Sequence, residues 1–209
     1  MKIIIAKKYT QFKAHLTTHI DAFETSGVQF GDPGRNTIKL FDLEGQKINI
    51  KSFKVPNLIN QVVYNFFRKS KAQRSFEYAT KLLNLGIGTP TPIAFYERPT
   101  VCLFKRSYYI SEHLDCDLTY RELTTNLDYP DSETIIRAFT RFTYQLHEKG
   151  VNFLDHSPGN TLITKTGDSY RFSIVDLNRM KFGDMDFNTR IINFAKLTIH
   201  KSIIEIMSD

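Results

Sequence analysis

The feature that most constrains this chain is a change of periodicity partway along it. Up to about residue 112, apolar and polar residues mostly alternate in short runs bounded by Gly and Pro, the signature of strands. "KIIIA" reads as a strand. "VQFGDPGRNTIKLFDLEGQKINIKSF" reads as strand, glycine turn, strand, tight turn at Glu44-Gly45, strand. "IAFYE" and "VCLFKRSYYISEHL" continue the pattern, with the extended "TPTP" before them. Three helical patterns interrupt the strands. The first places Phe12, Leu16, Ile20 and Phe23 on one face, and the second Ile59, Val62, Val63, Phe66 and Phe67. The third starts at Ser70, with Gln73 completing a capping-box spacing, and stops at Gly86.

After about residue 117 the period becomes helical. "SETIIRAFTRFTYQLHEKG" is the clearest helix: Ser132 is placed to cap it, Ile135, Ile136, Phe139, Phe142 and Leu146 share a face, and Gly150 ends it. One small hairpin turns at Gly167, and the tail from Phe187 is helical. The pattern predicts an α+β fold in two parts: residues 1–111, mostly sheet, a hinge at 112–118, and a mostly helical 119–209.

A net charge of +6 and a pI near 9.2 favour an acidic partner, be it nucleic acid, nucleotide or an anionic membrane surface. No nucleic-acid-binding motif accompanies the charge, so nucleic acid is not expected. Cys102 and Cys116 have neither disulfide-scaffold nor metal-site spacing, which suits a reducing compartment. "MKIIIAKKY" is too short in its apolar run for a signal peptide. No stretch approaches the roughly 20 apolar residues of a membrane span. A soluble or peripheral protein on the cytoplasmic side is expected.

Four polar pieces stand in an order that phosphoryl transfer uses: a cation on the phosphates, oxygens on Mg²⁺, and a base at the acceptor hydroxyl. Lys51 ends the alternation in "INIKSF", with Lys54 a rival in the same stretch. Glu77 lies on the helix from Ser70, where it can turn toward Lys51. In "FLDHSPGN", Asp155 and Asn160 are five apart, the spacing of base and metal ligand in a kinase catalytic loop, and the loop follows a helix ending in "LHEKG". Asp176 closes the apolar run "FSIVD", where a carboxylate can chelate Mg²⁺. The turn "GDPGRN", with Gly31, Gly34, Arg35 and Asn36, precedes the Lys51 strand and could cover phosphates with its backbone, although it is not G-x-G-x-x-G. Each piece alone has a bland reading: an edge lysine, an exposed helical acid, an Asx-rich turn, a hairpin.

On "GRNTIK", "INIKSFKVPNLINQVVYNFFRKSKAQRSFEYATKLLNLGIGTPTPIAFYE", "DHSPGN" and "VDLN", the chain resembles bacterial lipopolysaccharide kinases of the Kdo (3-deoxy-manno-octulosonic acid) kinase type. The resemblance implies a protein-kinase-like two-lobed fold with a reduced C-terminal lobe, and ATP with Mg²⁺ as cofactors. It implies transfer to a Kdo hydroxyl, probably the 4-OH in that family, on a lipid A–Kdo precursor at the cytoplasmic face of the inner membrane. By the same resemblance Asp155 is the base, Asn160 and Asp176 bind metal, and Lys51, Glu77, the glycine turn, Glu112 and Leu114 meet the nucleotide. Phe153-Leu154-Asp155 replaces His-Arg-Asp and Asp176-Leu177-Asn178 replaces Asp-Phe-Gly, which argues against a regulated protein kinase. A kinase of another small hydroxylated compound and a nucleotide-binding pseudokinase scaffold are the other readings. The basic residues Arg68, Lys69 and Lys71 after the 59–67 stripe suggest a peripheral membrane contact.

Overall fold

The computed structural model describes residues 2–31, 36–53, 69–99, 104–126, 128–197 and 199–208. The chain divides into two compact units, one of residues 1–80 and 90–114, the other of 81–89 and 115–209.

The first unit is a six-stranded antiparallel sheet in the order β1-β5-β6-β4-β3-β2, built from β1 (Lys2–Ile5), β2 (Val28–Phe30), β3 (Asn36–Leu43), β4 (Gln46–Phe53), β5 (Pro92–Pro99) and β6 (Phe104–Glu112). The hairpin between β3 and β4 is closed by Glu44 and Gly45, both at positive φ (52° and 86°), the two-residue turn that the twist of paired strands favours. Helix α1 (Lys13–Asp21), with the short helix Lys7–Phe12 before it, covers one sheet face. Leu16, Ile20 and Phe23 pack there with Phe41, Ile48, Ile50, Tyr96, Tyr108 and Ile110. The helical face expected at 12–23 is therefore core.

Helix α2 (Lys71–Asn84) starts as its sequence predicts, in part: the Gln73 N–H donates to Ser70 Oγ (3.0 Å). The Gln73 side chain does not complete the box. It donates instead to Glu77 one turn on (2.8 Å). At the other end Gly86, at φ +69°, forms a Schellman stop, with Gly86 N–H to Leu83 C=O and Ile87 N–H to Leu82 C=O (both 2.9 Å). The 59–67 stripe and Arg68 lie outside the described residues.

In the second unit, helix α3 (Tyr120–Thr125) is capped by Thr119 and Glu122, and α4 (Ser132–Glu148) is the long helix predicted. Ile135, Ile136, Phe139 and Leu146 are buried as expected, and Tyr120 stacks on Phe139 with ring centroids 4.2 Å apart. Ser132 is not the cap. Asp131 occupies that position in a left-handed conformation, and its carboxylate accepts bonds from Lys165 and Tyr170 instead of capping. Gly150 stops α4 at φ +65°, and a Cβ there would lie 2.6 Å from the Gly183 carbonyl oxygen.

The remaining strands are short. β8 (Val151–Phe153) pairs with β11 (Met180–Phe182), and β7 (Leu118–Thr119), β9 (Thr161–Thr166) and β10 (Ser169–Ile174) form a three-stranded sheet. Residues 81–89 join this unit through the Ile174 N–H to Gly88 C=O bond (2.9 Å) and Thr89 Oγ1 to Ile174 C=O (2.8 Å). The tail is broken into α5 (Phe187–Asn193), a turn of tight helix at Phe194–Lys196, and α6 (Lys201–Ser208).

Candidate active site

The loop after β8 is built by backbone economy. The His156 N–H donates to Phe153 C=O, Ser157 N–H to Asp155 C=O, and Asn160 N–H to Ser157 C=O. Pro158 suits the first position of the tight turn 158–160, where no N–H is needed. The loop brings two of the predicted residues together: Asn160 Nδ2 donates to the Asp155 carbonyl (2.8 Å). The third is tied in by the next strand, because Val175 N–H donates to the Asn160 carbonyl (2.9 Å), one residue before Asp176. Asp176 is held at φ +60°, a region that Gly, Asn and Asp enter more readily than other residues, and accepts from Asn178 Nδ2 (2.6 Å).

The Asp155 carboxylate has two cationic neighbours absent from the sequence reading. Lys196 Nζ (3.0 Å) and Arg179 Nη1 (3.2 Å) both donate to Oδ1. Oδ2 accepts no hydrogen bond among the described residues. Lys196 is also anchored, since its Nζ donates to the Leu154 carbonyl (2.9 Å).

Beneath the loop lies a buried polar knot that no periodicity or spacing announces. Asn193 Nδ2 donates to the Phe153 carbonyl (2.8 Å) and to Asn152 Oδ1 (3.0 Å). Its Oδ1 therefore faces the rings of His156 (Nδ1, 3.1 Å) and His147 (Nε2, 3.1 Å), and each ring donates through that nitrogen. Burial pushes the His156 imidazole down to about 4, with the bond to Asn193 opposing. Burial lowers His147 as well. Both rings are neutral props for the Asp155 loop.

In the first unit, Lys51 lies on β4 between Ile38 and Tyr109 in register. Ile48 and Ile50 point into the core under α1, so the two-residue period turns Lys51 to the opposite face, as expected. Its ammonium sits over the Phe53 ring, 5.5 Å from the centroid. Helix α2 meets that same face, with the Phe76 and Phe95 ring centroids 5.6 Å apart, Phe95 being the register partner of Tyr109. Glu77 accepts from Lys69 Nζ (2.8 and 3.0 Å) and Gln73 Nε2. Burial works to raise its carboxyl, but these donors outweigh it and hold it below the ordinary range. The carboxylate expected to answer Lys51 is thus engaged by Lys69. Lys54 lies outside the described residues.

The glycine turn is described only at its ends. Gly31 has φ +68°, and, its chain neighbours aside, no atom of the described residues lies within 4 Å of where a Cβ would stand. Asn36 begins β3 with a buried Oδ1 that has no partner among the described residues. Gly34 and Arg35 lie outside the described residues. At the end of β6, the Glu112 carboxylate accepts from the Tyr9 hydroxyl and from Lys8. Burial would raise it, but bonds from Thr91, Tyr9 and Gln46 and the charge of Lys8 bring it down to about 2. Its N–H is spent on the Thr91 carbonyl (2.9 Å). Glu112 therefore braces the N-terminal segment with its side chain, and Leu114, two residues on, is half-buried.

The second unit thus holds Asp155 beside the Asn160 amide, with Asp176 two residues past β10, and the first unit carries Lys51 on β4. The lipopolysaccharide kinase (Kdo/WaaP) family model matches residues 39–205, and the chain belongs to that family of ATP-dependent phosphotransferases. No curated protein sequence matches it. Among solved structures, the chain is similar to one described as WaaP in complex with acyl carrier protein, with a TM-score of 0.70 and 15% identity over 100% of this chain and 87% of that one. At that identity the likeness is one of fold.

Proposed function

We propose that this chain transfers the γ-phosphoryl group of ATP to a hydroxyl of Kdo on a lipid A–Kdo precursor, with the 4-OH as acceptor. The observation that carries the reading is the Asp155 carboxylate. Two cations hold its Oδ1, leaving Oδ2 to accept the hydrogen bond of an acceptor hydroxyl and then its proton. Two cations against one carboxylate also leave a net positive charge beside the base, which suits an acceptor that is itself an anion, as the carboxylic sugar Kdo is.

Mg²⁺ fits the donor set of the second unit. Asn160 spends its amide N–H₂ on the Asp155 carbonyl, which frees Oδ1 as a hard oxygen ligand, and Asp176 supplies a carboxylate. No group of three or more His, Cys, Asp or Glu side chains suited to a metal occurs among the described residues. That accords with an ion held by one or two protein oxygens plus water and phosphates. Bound there, Mg²⁺ would neutralise charge on the phosphates. Lys51 is assigned to the α/β-phosphates. Glu77 is its partner once ATP is bound, exchanging Lys69 for Lys51. The Val175 N–H to Asn160 carbonyl bond, which joins the two segments that carry the proposed ligands, supports this pairing.

The test is mass spectrometry of Kdo-lipid A after incubation with the protein, ATP and Mg²⁺. A single added phosphate located on Kdo supports the reading. Phosphate on another sugar, or ATP turnover with no change in Kdo-lipid A, refutes it.

A further inference from the structure

Gly159 serves the Asp155 loop by the side chain it lacks. Its φ is not in the left-handed region, so no turn requires a glycine there. What it provides is room: a Cβ would stand 2.7 Å from Nη2 and 3.3 Å from Cζ of Arg121. The Arg121 guanidinium therefore lies against the middle of the tight turn 158–160, whose last residue, Asn160, donates to the Asp155 carbonyl (2.8 Å). Arg121 and this loop belong to the same compact unit.

Arg121 is firmly placed and its charge is unspent. It stands in the first turn of α3 with its backbone pinned. The N–H donates to Thr119 Oγ1 (3.3 Å), and the carbonyl accepts from Thr124 Oγ1 (2.8 Å) and Thr125 Oγ1 (3.0 Å). The guanidinium makes no hydrogen bond or ion pair among the described residues. The neighbouring Glu122 carboxylate feels that charge but is bound to the N–H and hydroxyl of Thr119 (2.7 Å each). Helix formation does not ask for a cation here, because a first turn favours acids. The other two cations at the loop, Arg179 and Lys196, answer the Asp155 carboxylate. Arg121 is a third, with all five of its donors unused.

We propose that Arg121 is an acceptor-binding residue, whose guanidinium receives the carboxylate of the sugar while a hydroxyl of the same sugar meets Asp155. A guanidinium is planar and rigid, and its fork matches a carboxylate with two parallel N–H···O bonds. The phosphates of ATP have Lys51 and Mg²⁺ in the proposed function, and a neutral sugar would leave the charge of Arg121 unanswered. Kdo carries a carboxylate and hydroxyls on one small ring, as the site carries Arg121 and Asp155 on one short loop. The inference rests on the proposed function for the identity of the acceptor and adds the group that selects it.

The test compares Kdo-lipid A with its Kdo methyl ester, which keeps every hydroxyl and loses the sugar's negative charge. Wild-type kcat/KM should favour the acid at least about tenfold, the scale of one hydrogen-bonded charge pair. In Arg121→Gln that preference should all but vanish, through a raised KM for the acid, while KM for ATP holds. Arg121→Lys should recover part of it, because the charge is kept and the fork is lost. Gly159→Ala retains the guanidinium but forces it aside, and should also lower the preference. Arg121 is exposed and bonded through its backbone alone, so the melting temperatures of its variants should hold. A wild type that treats acid and ester alike, or an unchanged preference in Arg121→Gln, overturns the assignment and leaves the proposed function standing. A raised KM for ATP with the preference intact also overturns it and makes Arg121 a nucleotide ligand. A wild type that phosphorylates neither acceptor refutes the proposed function and this inference with it.

Discussion

The buried His156 makes the Asp155 loop pH-sensitive in a way that can be worked out. An unfolded histidine titrates near 6.5, and in the fold His156 is held neutral down to about 4. A group whose folded value is depressed contributes stability above its unfolded value and loses it as pH falls toward the folded one. The gap of about 2.5 units, at 1.36 kcal/mol each, is about 3 kcal/mol, lost between about pH 6.5 and about pH 4. His156 is only 1% exposed, so solvent screening takes little from this. The perturbation is His156→Asn, whose Nδ2 falls near the position of the imidazole Nδ1 and can keep the bond to Asn193. The variant loses stability at every pH because the ring is gone, but it has no proton to gain. Urea unfolding of both proteins across that range should give curves that converge by about 3 kcal/mol as pH drops. Carboxylates and His147 titrate in both and cancel in the difference. Curves that stay parallel would refute the reasoning, as would an imidazole NMR titration placing His156 near 6.5 in the folded protein.

Asp155→Asn should abolish phosphoryl transfer and spare ATP binding, whereas Asp176→Asn should weaken Mg-ATP binding as well; isothermal titration beside a turnover assay separates them, and near-normal turnover of Asp155→Asn sinks the assignment. Lys51→Met should lower turnover at least about a hundredfold, as expected when one preorganised counter-charge is removed, while Lys69→Met should cost little because its pair with Glu77 is largely solvated. The reverse order would make Lys69 the phosphate ligand. Gly150→Ala should destabilise by on the order of 2–3 kcal/mol in urea unfolding, because Ala must take a positive φ and meet the Gly183 carbonyl.

How far the sequence discloses this molecule depends on how local each cause is. The Lys51 strand and α4 were legible because a repeating period advertises a buried face over many residues. The five-residue spacing of Asp155 and Asn160 was legible because one turn makes both contacts. The cations on Asp155 were not. Arg179 and Lys196 stand 24 and 41 positions away, and an isolated basic residue carries no sign of what it will reach. Asn193 was invisible for the same reason, being one polar residue in an amphipathic tail. The strands β7, β8 and β11, of two or three residues, are too short to show alternation. The Ser132 cap failed because Asp131, one residue earlier, was drawn to Lys165 and Tyr170, and no local rule weighs that competition.

The β1 strand has a practical consequence for anyone shortening this chain. The family match begins at residue 39, but the sheet does not. β1 is its outermost strand on one side and shields the flank of β5, while Tyr9, Leu16, Ile20 and Phe23 plug the hydrophobic interior. A fragment trimmed to the matched span would present a bare row of β5 amides and carbonyls beside a hollowed apolar surface. It would also strand the Glu112 carboxylate without Tyr9 and Lys8. Such an edge recruits strands from other molecules. The minimal folding unit therefore reaches well upstream of the recognisable kinase segment, and a trimmed version would come out as aggregate before its chemistry could be asked about.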